Sequence, residues 1–144
     1  MHIAAVLASK GSTEVATISP QATMQELVDL LAEWDIGAAV VSNDGAGVLG
    51  IISERDVVRL LSGGQSSLDA RVGDVMTVEV SVCESQDTLE DLMRLMTEQR
   101  IRHVPVVHEG KLAGLVSIGD AVKVRMRELE YERDQLNNYV TGSQ

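Results

Sequence analysis

The residues with the types and spacing to do chemistry come in two matching sets: Ser53, Arg55 and Asp56, and sixty-four positions later Ser117, Gly119 and Asp120. Each set follows a glycine and two apolar residues, Gly50-Ile51-Ile52 and Gly114-Leu115-Val116, so each reads as a buried strand running into a helix. Such a corner offers free backbone N–H groups and the positive end of the helix dipole, which suits an anion. An aspartate beside it can accept from a pair of sugar hydroxyls, as acidic residues do in other nucleotide folds. The same Ser-x-x-Asp spacing is also a capping box, in which hydroxyl and carboxylate each satisfy a backbone N–H of the first turn. Thr23-Met24-Gln25-Glu26 and Thr88-Leu89-Glu90-Asp91 read as helix starts of that kind, so one copy alone reads as a cap. The ligand reading gains weight because everything around the motif is repeated too.

The elements that must position the two sets follow one order, twice. Residues 2–9 read as a short helix stopped by Lys10-Gly11-Ser12, and Val15-Ala16-Thr17-Ile18 as a short strand closed by Ser19-Pro20. Thr23 then caps a helix whose Leu27, Leu30, Leu31 and Trp34 keep the i, i+3, i+4, i+7 pattern. Ala38-Ala39-Val40-Val41 is a continuous apolar run of buried-strand type, Asn43 to Gly47 a turn, and Val48 to Ile52 the next strand. Asp56 to Leu61 is helical, ended by Ser62-Gly63-Gly64. A polar linker (64–70) and a short turn or helix at Val72-Gly73-Asp74-Val75-Met76 lead to a second strand, Val80 to Cys83. Thr88 caps a helix with Leu89, Leu92, Met93 and Met96 on one face, and Ile101 to Val107 matches the first copy sixty-five positions on. The second turn, Glu109-Gly110-Lys111, is one residue shorter. Two copies are too few for a solenoid, and each alone would struggle to bury its sheet. The expectation is one pseudo-symmetric α+β domain, with the first copy and the N-terminal helix in 1–70 and the second copy with an extended final helix in 71–144.

Composition narrows the function classes. With no Phe, one Trp and two Tyr, the core must be Val, Leu, Ile, Ala and Met. A net charge of −10 repels phosphate backbones and anionic membranes, and sparse aromatics leave no stacking platform, so neither nucleic acid nor membrane is expected as a partner. No apolar stretch approaches bilayer length, and the run Met1 to Ala8 lacks the basic residue of a signal peptide; a cytoplasmic protein is expected. Cys83 is the only cysteine, which rules out an internal disulfide and a Cys-based zinc site. It aligns with strand residue Ile18 and reads as a small buried hydrophobe, with a thiol sensor as the weaker alternative. His2, His103 and His108 lack metal-ligand spacing. There is no dinucleotide fingerprint, P-loop or nucleophile elbow, so nothing proposes a reaction, an enzyme or a catalytic cofactor.

The doubled β-α-β-β-α order, the doubled Gly-apolar-apolar-Ser-x-x-Asp motif, Val72 to Met76 ahead of the second copy, and Arg102-His103-Val104-Pro105-Val106 together resemble the tandem CBS (cystathionine β-synthase) domain pair. The resemblance covers roughly residues 11–127, and with no catalytic domain attached the chain is similar to the free-standing bacterial subclass. It implies two repeats packed sheet to sheet about a pseudo-twofold axis, leaving two clefts that each join the Ser and Asp of one repeat to strand starts of the other. One cleft would join Ser53, Arg55 and Asp56 to Met76, Ser81, Ile101, Arg102 and His103. The other would join Ser117, Gly119 and Asp120 to Gly11, Ala16, Ile36, Gly37 and Ala38. By the same resemblance the aspartates hold ribose hydroxyls, the serines sit near ribose or phosphate, and small apolar residues flank adenine. The implied ligand is AMP, ADP, ATP, NAD or S-adenosylmethionine, and the implied activity is regulatory, through a homodimer acting on an unknown protein target. The alternative is a structural or oligomerisation adaptor whose degenerate clefts keep Ser-x-x-Asp as caps only.

The two implied clefts differ in chemistry. Arg55, Arg102 and His103 give the Asp56 cleft a cationic rim, whereas Gly119 and Gly37-Ala38 take those places in the other. The Asp56 cleft is therefore expected to bind anionic nucleotides more tightly, and the Asp120 cleft, with its weakly charged surround, to prefer less charged ligands or stay empty. Val40 stands where the second repeat has Pro105, so the two strand starts differ in shape. The final helix, from about Ile118 to Tyr139, carries Val122, Met126, Leu129, Leu136 and Val140 near a/d spacing, with Arg133 interrupting. Folding back on its own domain and contact with a subunit or partner both fit that pattern.

Overall fold

The computed structural model describes residues 1–11, 14–64 and 68–142. In chain order the elements are α1 (Ile3–Ser9), β1 (Thr17–Ile18), α2 (Met24–Trp34), β2 (Ala38–Val41), β3 (Gly50–Ser53) and α3 (Glu54–Ser62), followed by α4 (Val72–Val75), β4 (Cys83–Glu84), α5 (Leu89–Gln99), β5 (His103–His108), β6 (Lys111–Ser117) and α6 (Ile118–Gly142). They build two three-stranded sheets, β1-β2-β3 and β4-β5-β6. In each the middle strand runs parallel to the first and antiparallel to the third. The registers match: Ile18 lies opposite Val41 as Cys83 lies opposite Val106, and Ala38 faces Ser53 as His103 faces Ser117. The fold is α+β, with two repeats.

Local chemistry sets the element ends. Thr23 and Thr88 each accept, through Oγ1, the N–H three residues on (3.1 Å from Glu26, 3.2 Å from Asp91), starting α2 and α5. Both helices stop at a left-handed residue, Asp35 (φ 52°) and Arg100 (φ 55°), which swings the chain into the middle strand. In the first hairpin Asp44 Oδ1 accepts from the Ala46 and Gly47 N–H groups at 2.9 Å each, and those bonds, Gly47 foremost, lower its pKa. Glu109 (φ 52°) and Gly110 (φ 77°) close the second hairpin in the left-handed pair that matches strand twist.

Each repeat has its own aliphatic core, and the short helices are exchanged between them. Ile3 and Val6 of α1 pack with Leu89, Leu92, Met96, Val104 and Val116 of the second repeat. Val72 of α4 packs with Met24, Leu27, Ala39, Val41 and Ile52 of the first. A Cβ at Gly114 would lie 2.5 Å from the Leu7 side chain, so this glycine lets α1 sit down on β6. Of the polar linker, 65–67 lie outside the described residues, as does Ser12; Leu68 and Ala70 accept the N–H groups of Gln25 and Met24 at 3.0 and 2.9 Å.

Two expectations are corrected. The strand expected over Val80 to Cys83 is only Cys83–Glu84, because the chain after α4 is first drawn to the other repeat. Thr77 and Ile51 exchange two backbone hydrogen bonds, 3.0 Å each, and Thr77, Glu79, Val80 and Ser81 border a cavity instead of a sheet. Trp34 leaves the buried stripe of α2: it stands 41% exposed on the last turn, while Met24, Leu27 and Leu31 carry the burial. No described helix is long and apolar enough to cross a membrane.

Candidate functional site

A cavity of about 340 Å³ opens between the repeats, within the roughly 300–1,000 Å³ typical of small-molecule sites. The first repeat contributes Gly37, Ala38, Ile51, Ser53, Glu54, Arg55, Asp56 and Arg59. The stretch after α4 adds Thr77, Glu79, Val80 and Ser81, and the corner between α5 and β5 adds Gln99, Arg100, Ile101, Arg102 and His103. Strand β3 delivers Ser53 to the mouth of α3, so the motif sits where the first repeat turns from sheet to helix.

Asp56 is held by its own serine. Its Oδ2 accepts the Ser53 N–H at 2.8 Å and the Ser53 hydroxyl at 3.2 Å. Both bonds use one carboxylate oxygen, which leaves Oδ1 to an incoming donor. Around this corner stand Arg55, Arg59, Arg100 and Arg102, four of the nine arginines in a chain of net charge −10. Among the described residues the ion pairs engage Lys10, His108, Arg94, Arg125, Arg133 and the N-terminus, and none of these four. Four guanidiniums against Glu54, Asp56 and Glu79 make the rim cationic.

In the cavity lining, Gly37 gives His103 and Glu54 room to converge. A Cβ there would lie 3.3 Å from His103 Cε1 and 3.4 Å from Glu54 Oε1. Burial is the main force lowering the His103 pKa; Arg102 and Lys10 add to it, and Glu54 and Asp120 oppose it. The imidazole is therefore neutral near pH 7.

Of the residues assigned to the first cleft, Ser53, Arg55, Asp56, Ser81, Ile101, Arg102 and His103 line this cavity. Met76 does not: its sulfur would lie 2.6 Å from a Cβ at Gly50, and it packs on the first core. Gly37 and Ala38, assigned to the other cleft, also border this one. Ala16 is buried in the first core, Ile36 is half-buried against it, and Gly11 is exposed beyond α1 at φ 76°.

Around the second motif the geometry is different. Ser117 and Asp120 form a reciprocal cap, Ser117 N to Asp120 Oδ2 at 2.9 Å and Asp120 N to Ser117 Oγ at 3.1 Å. Lys10, at the end of α1, reaches the same Oδ2 at 2.9 Å and donates to the Leu115 carbonyl at 2.8 Å. Burial raises the Asp120 pKa, but the Ser117 N–H and the Lys10 ammonium outweigh it and the net shift is downward. The recess here is about 110 Å³, lined by Ser9, Lys10, Asp120, Lys123, Val124 and Arg127. These cations correct the expectation of a weakly charged surround: α1 and α6 bring them, not the glycines that suggested it.

Sequence reasoning missed Arg59, Arg100 and Lys10. Arg59 was legible, lying one helical turn beyond Arg55 on α3. Arg100 and Lys10 were not, since one depends on the left-handed end of α5 and the other on α1 crossing to the second repeat. Cys83 is buried, and burial, reinforced by Asp87 and Glu84, pushes its thiol up to about 12. His2 donates through Nδ1 to the Gln86 carbonyl at 2.8 Å, and His108 Nδ1 is 2.8 Å from Ser85 Oγ.

Comparison with known proteins matches residues 10–63 and 72–127 to the family model described as CBS domain. A mitochondrial CBS domain-containing protein of Arabidopsis thaliana is 38% identical over 126 residues, 83% of this chain and 61% of its own length. The chain thus spans less than two thirds of that relative. The crystal structure of a CBS-domain containing protein from Agrobacterium tumefaciens is 39% identical, with a TM-score of 0.81 over 87% of this chain and 99% of that one. A CBS domain protein from Pyrobaculum aerophilum, complexed with AMP, is 26% identical, with a TM-score of 0.74 over 83% of this chain and 89% of that one.

Proposed function

The chain belongs to the CBS domain family, and from that premise we propose that it is a regulatory module, not an enzyme, whose cavity at Asp56 binds a phosphate-bearing adenosine ligand: AMP, ADP, ATP or NAD. The observation that carries this is the set of four arginines that make no ion pair among the described residues, around a fixed Ser53–Asp56 corner. Asp56 Oδ1 accepts the ribose hydroxyls. The guanidiniums take phosphate oxygens in charge-assisted, forked contacts. Ala38 and Ile101 are the small and apolar lining residues that flank the base. The AMP complex of the Pyrobaculum relative supports the ligand class.

Such a ligand touches Ser53, Arg55 and Asp56 of one repeat and Arg100, Arg102 and His103 of the other. Its affinity then depends on how the repeats are angled, which lets it shift a homodimer between states that a protein target distinguishes. One observation favours the adaptor reading instead: Asp56 already caps α3 through Oδ2 and needs no ligand for that. Thermal melting with AMP, ADP, ATP, NAD and S-adenosylmethionine separates the two. A ligand at a hundredfold over its dissociation constant adds about 2.7 kcal/mol, a rise of roughly 5–10 °C for a domain of this size. A shift confined to phosphate-bearing ligands supports the sensor; no shift with any of them leaves the adaptor.

A further inference from the structure

The face of α6 that its own domain leaves uncovered is patterned. Ala121 and Val124 are buried and Arg125 and Glu128 half-buried, so this side of the helix meets the second repeat. Val122, Met126, Leu129, Leu136 and Val140 lie on the adjacent face, about 100° round the helix from the buried one, and all are exposed, Leu136 and Val140 to 64% and 63%. From Leu129 to Gly142 every residue is exposed, so the second half of the helix has no cover from its own chain among the described residues. The stripe steps by four, three, four, three and four residues through position 133, a heptad seam with Met126, Arg133 and Val140 at a and Val122, Leu129 and Leu136 at d.

We propose that α6 pairs with α6 of a second copy as a parallel, in-register, two-stranded coiled coil. Leucine at two of three d positions, and a single charged residue among the a positions, fit two strands and a fixed register. The flanking charges choose the direction. In parallel pairing, Arg125 at g, which within its own chain already pairs with Glu90, Glu128 and Glu132, also comes beside Glu130 at e of the other copy, and Glu132 at g comes beside Arg133 at a, which in its own chain pairs with Asp134. The antiparallel register that fills the same layers, with Arg133 opposite Leu129, sets Glu132 against Glu132 and Glu130 against Glu130. That arrangement is repelled. The proposal gives the homodimer of the functional reading its interface, and it stands whether or not nucleotide binds.

Leu136→Cys, in the full chain, tests it by oxidation. Cys83 is buried and supplies no background. The expected result is a disulfide-linked dimer, with no such dimer from Asn138→Cys on the outer face. Leu129→Asp combined with Leu136→Asp should sediment as a monomer at concentrations where the unsubstituted chain is dimeric. Its thermal shift with nucleotide should be retained, which keeps this test separate from the functional one. No cross-link through Leu136→Cys, equal cross-linking through Asn138→Cys, or a dimer that survives the two aspartates would overturn the proposal.

Discussion

Gly50→Ala should damage the fold and the cavity together, and the structure sets the size of the effect. The new Cβ would lie 2.6 Å from the Met76 sulfur and 2.7 Å from the Thr77 carbonyl oxygen. The sulfur ends a flexible side chain and can move. The carbonyl cannot, because it accepts from Ile51 N at 3.0 Å while Thr77 N donates back to Ile51 at 3.0 Å. Overpacking of about 1–3 kcal/mol adds to two weakened hydrogen bonds of about 0.5–1.5 kcal/mol each. The sum is about 2–6 kcal/mol, or a fall in Tm of roughly 5–20 °C. Gly114→Ala makes the comparison sharp, since the three atoms nearest its Cβ all belong to the flexible Leu7 side chain, the first at 2.5 Å. Removing the obstacle should therefore rescue one site and not the other: Gly114→Ala becomes nearly neutral in a Leu7→Ala background, while Gly50→Ala stays costly with Met76→Ala. Circular dichroism melts of the four single and two double variants decide it. Rescue of Gly50→Ala by Met76→Ala would refute the reasoning, because it would mean that the Thr77 bridge is not what fixes the chain there.

Lys10→Met removes the cation beside Asp120, and the sign of the pH dependence follows from the lowered carboxyl. Its stabilisation is present above the unfolded value of 3.8 and is lost as pH falls through the lower folded value, so the stability gap between Lys10→Met and the parent should close on acidification. For His103, whose pKa is lowered, folding favours the neutral ring. Stability should hold above pH 6.5 and decline as pH drops below it, a decline that His103→Gln lacks in urea titrations across that range. Phosphate bound beside the ring restores its charged form, so calorimetry in buffers of different ionisation enthalpy should show proton uptake on nucleotide binding near pH 6.5. Cys83, buried with its thiol at about 12, should react with Ellman's reagent only at the rate of unfolding; rapid labelling of the native chain would restore the thiol-sensor reading.

What the sequence made legible was whatever rests on local chemistry. The threonine caps of α2 and α5, the apolar run of β2 and the Ser-x-x-Asp corners are set by residues within a few positions of each other, and all lie where the spacing puts them. Ser53, Asp56, Arg102 and His103 came to one cavity because the repeat predicts the strand and helix starts that carry them. What stayed hidden depends on exchange between repeats. Thr77 binding Ile51 turned an expected strand into a cavity wall, and α1 docking on β6 brought Lys10 to Asp120. Neither partner choice leaves a periodicity to read. The outward turn of the α6 seam was half legible: its spacing is in the sequence, but the face it presents follows from which side Ala121 and Val124 bury.

If Asp56 and its arginines form the nucleotide site, calorimetric titration of AMP into the parent chain, Asp56→Asn and Asp120→Asn will separate them. Loss of a charge-assisted acceptor, about 1.5–3 kcal/mol, should weaken binding roughly ten- to a hundredfold in Asp56→Asn. Capping loss is only about 1 kcal/mol, so that variant should still fold. Asp120→Asn should leave the tight site intact. Unchanged affinity in a folded Asp56→Asn chain, or loss of the tight site in Asp120→Asn alone, would contradict the account.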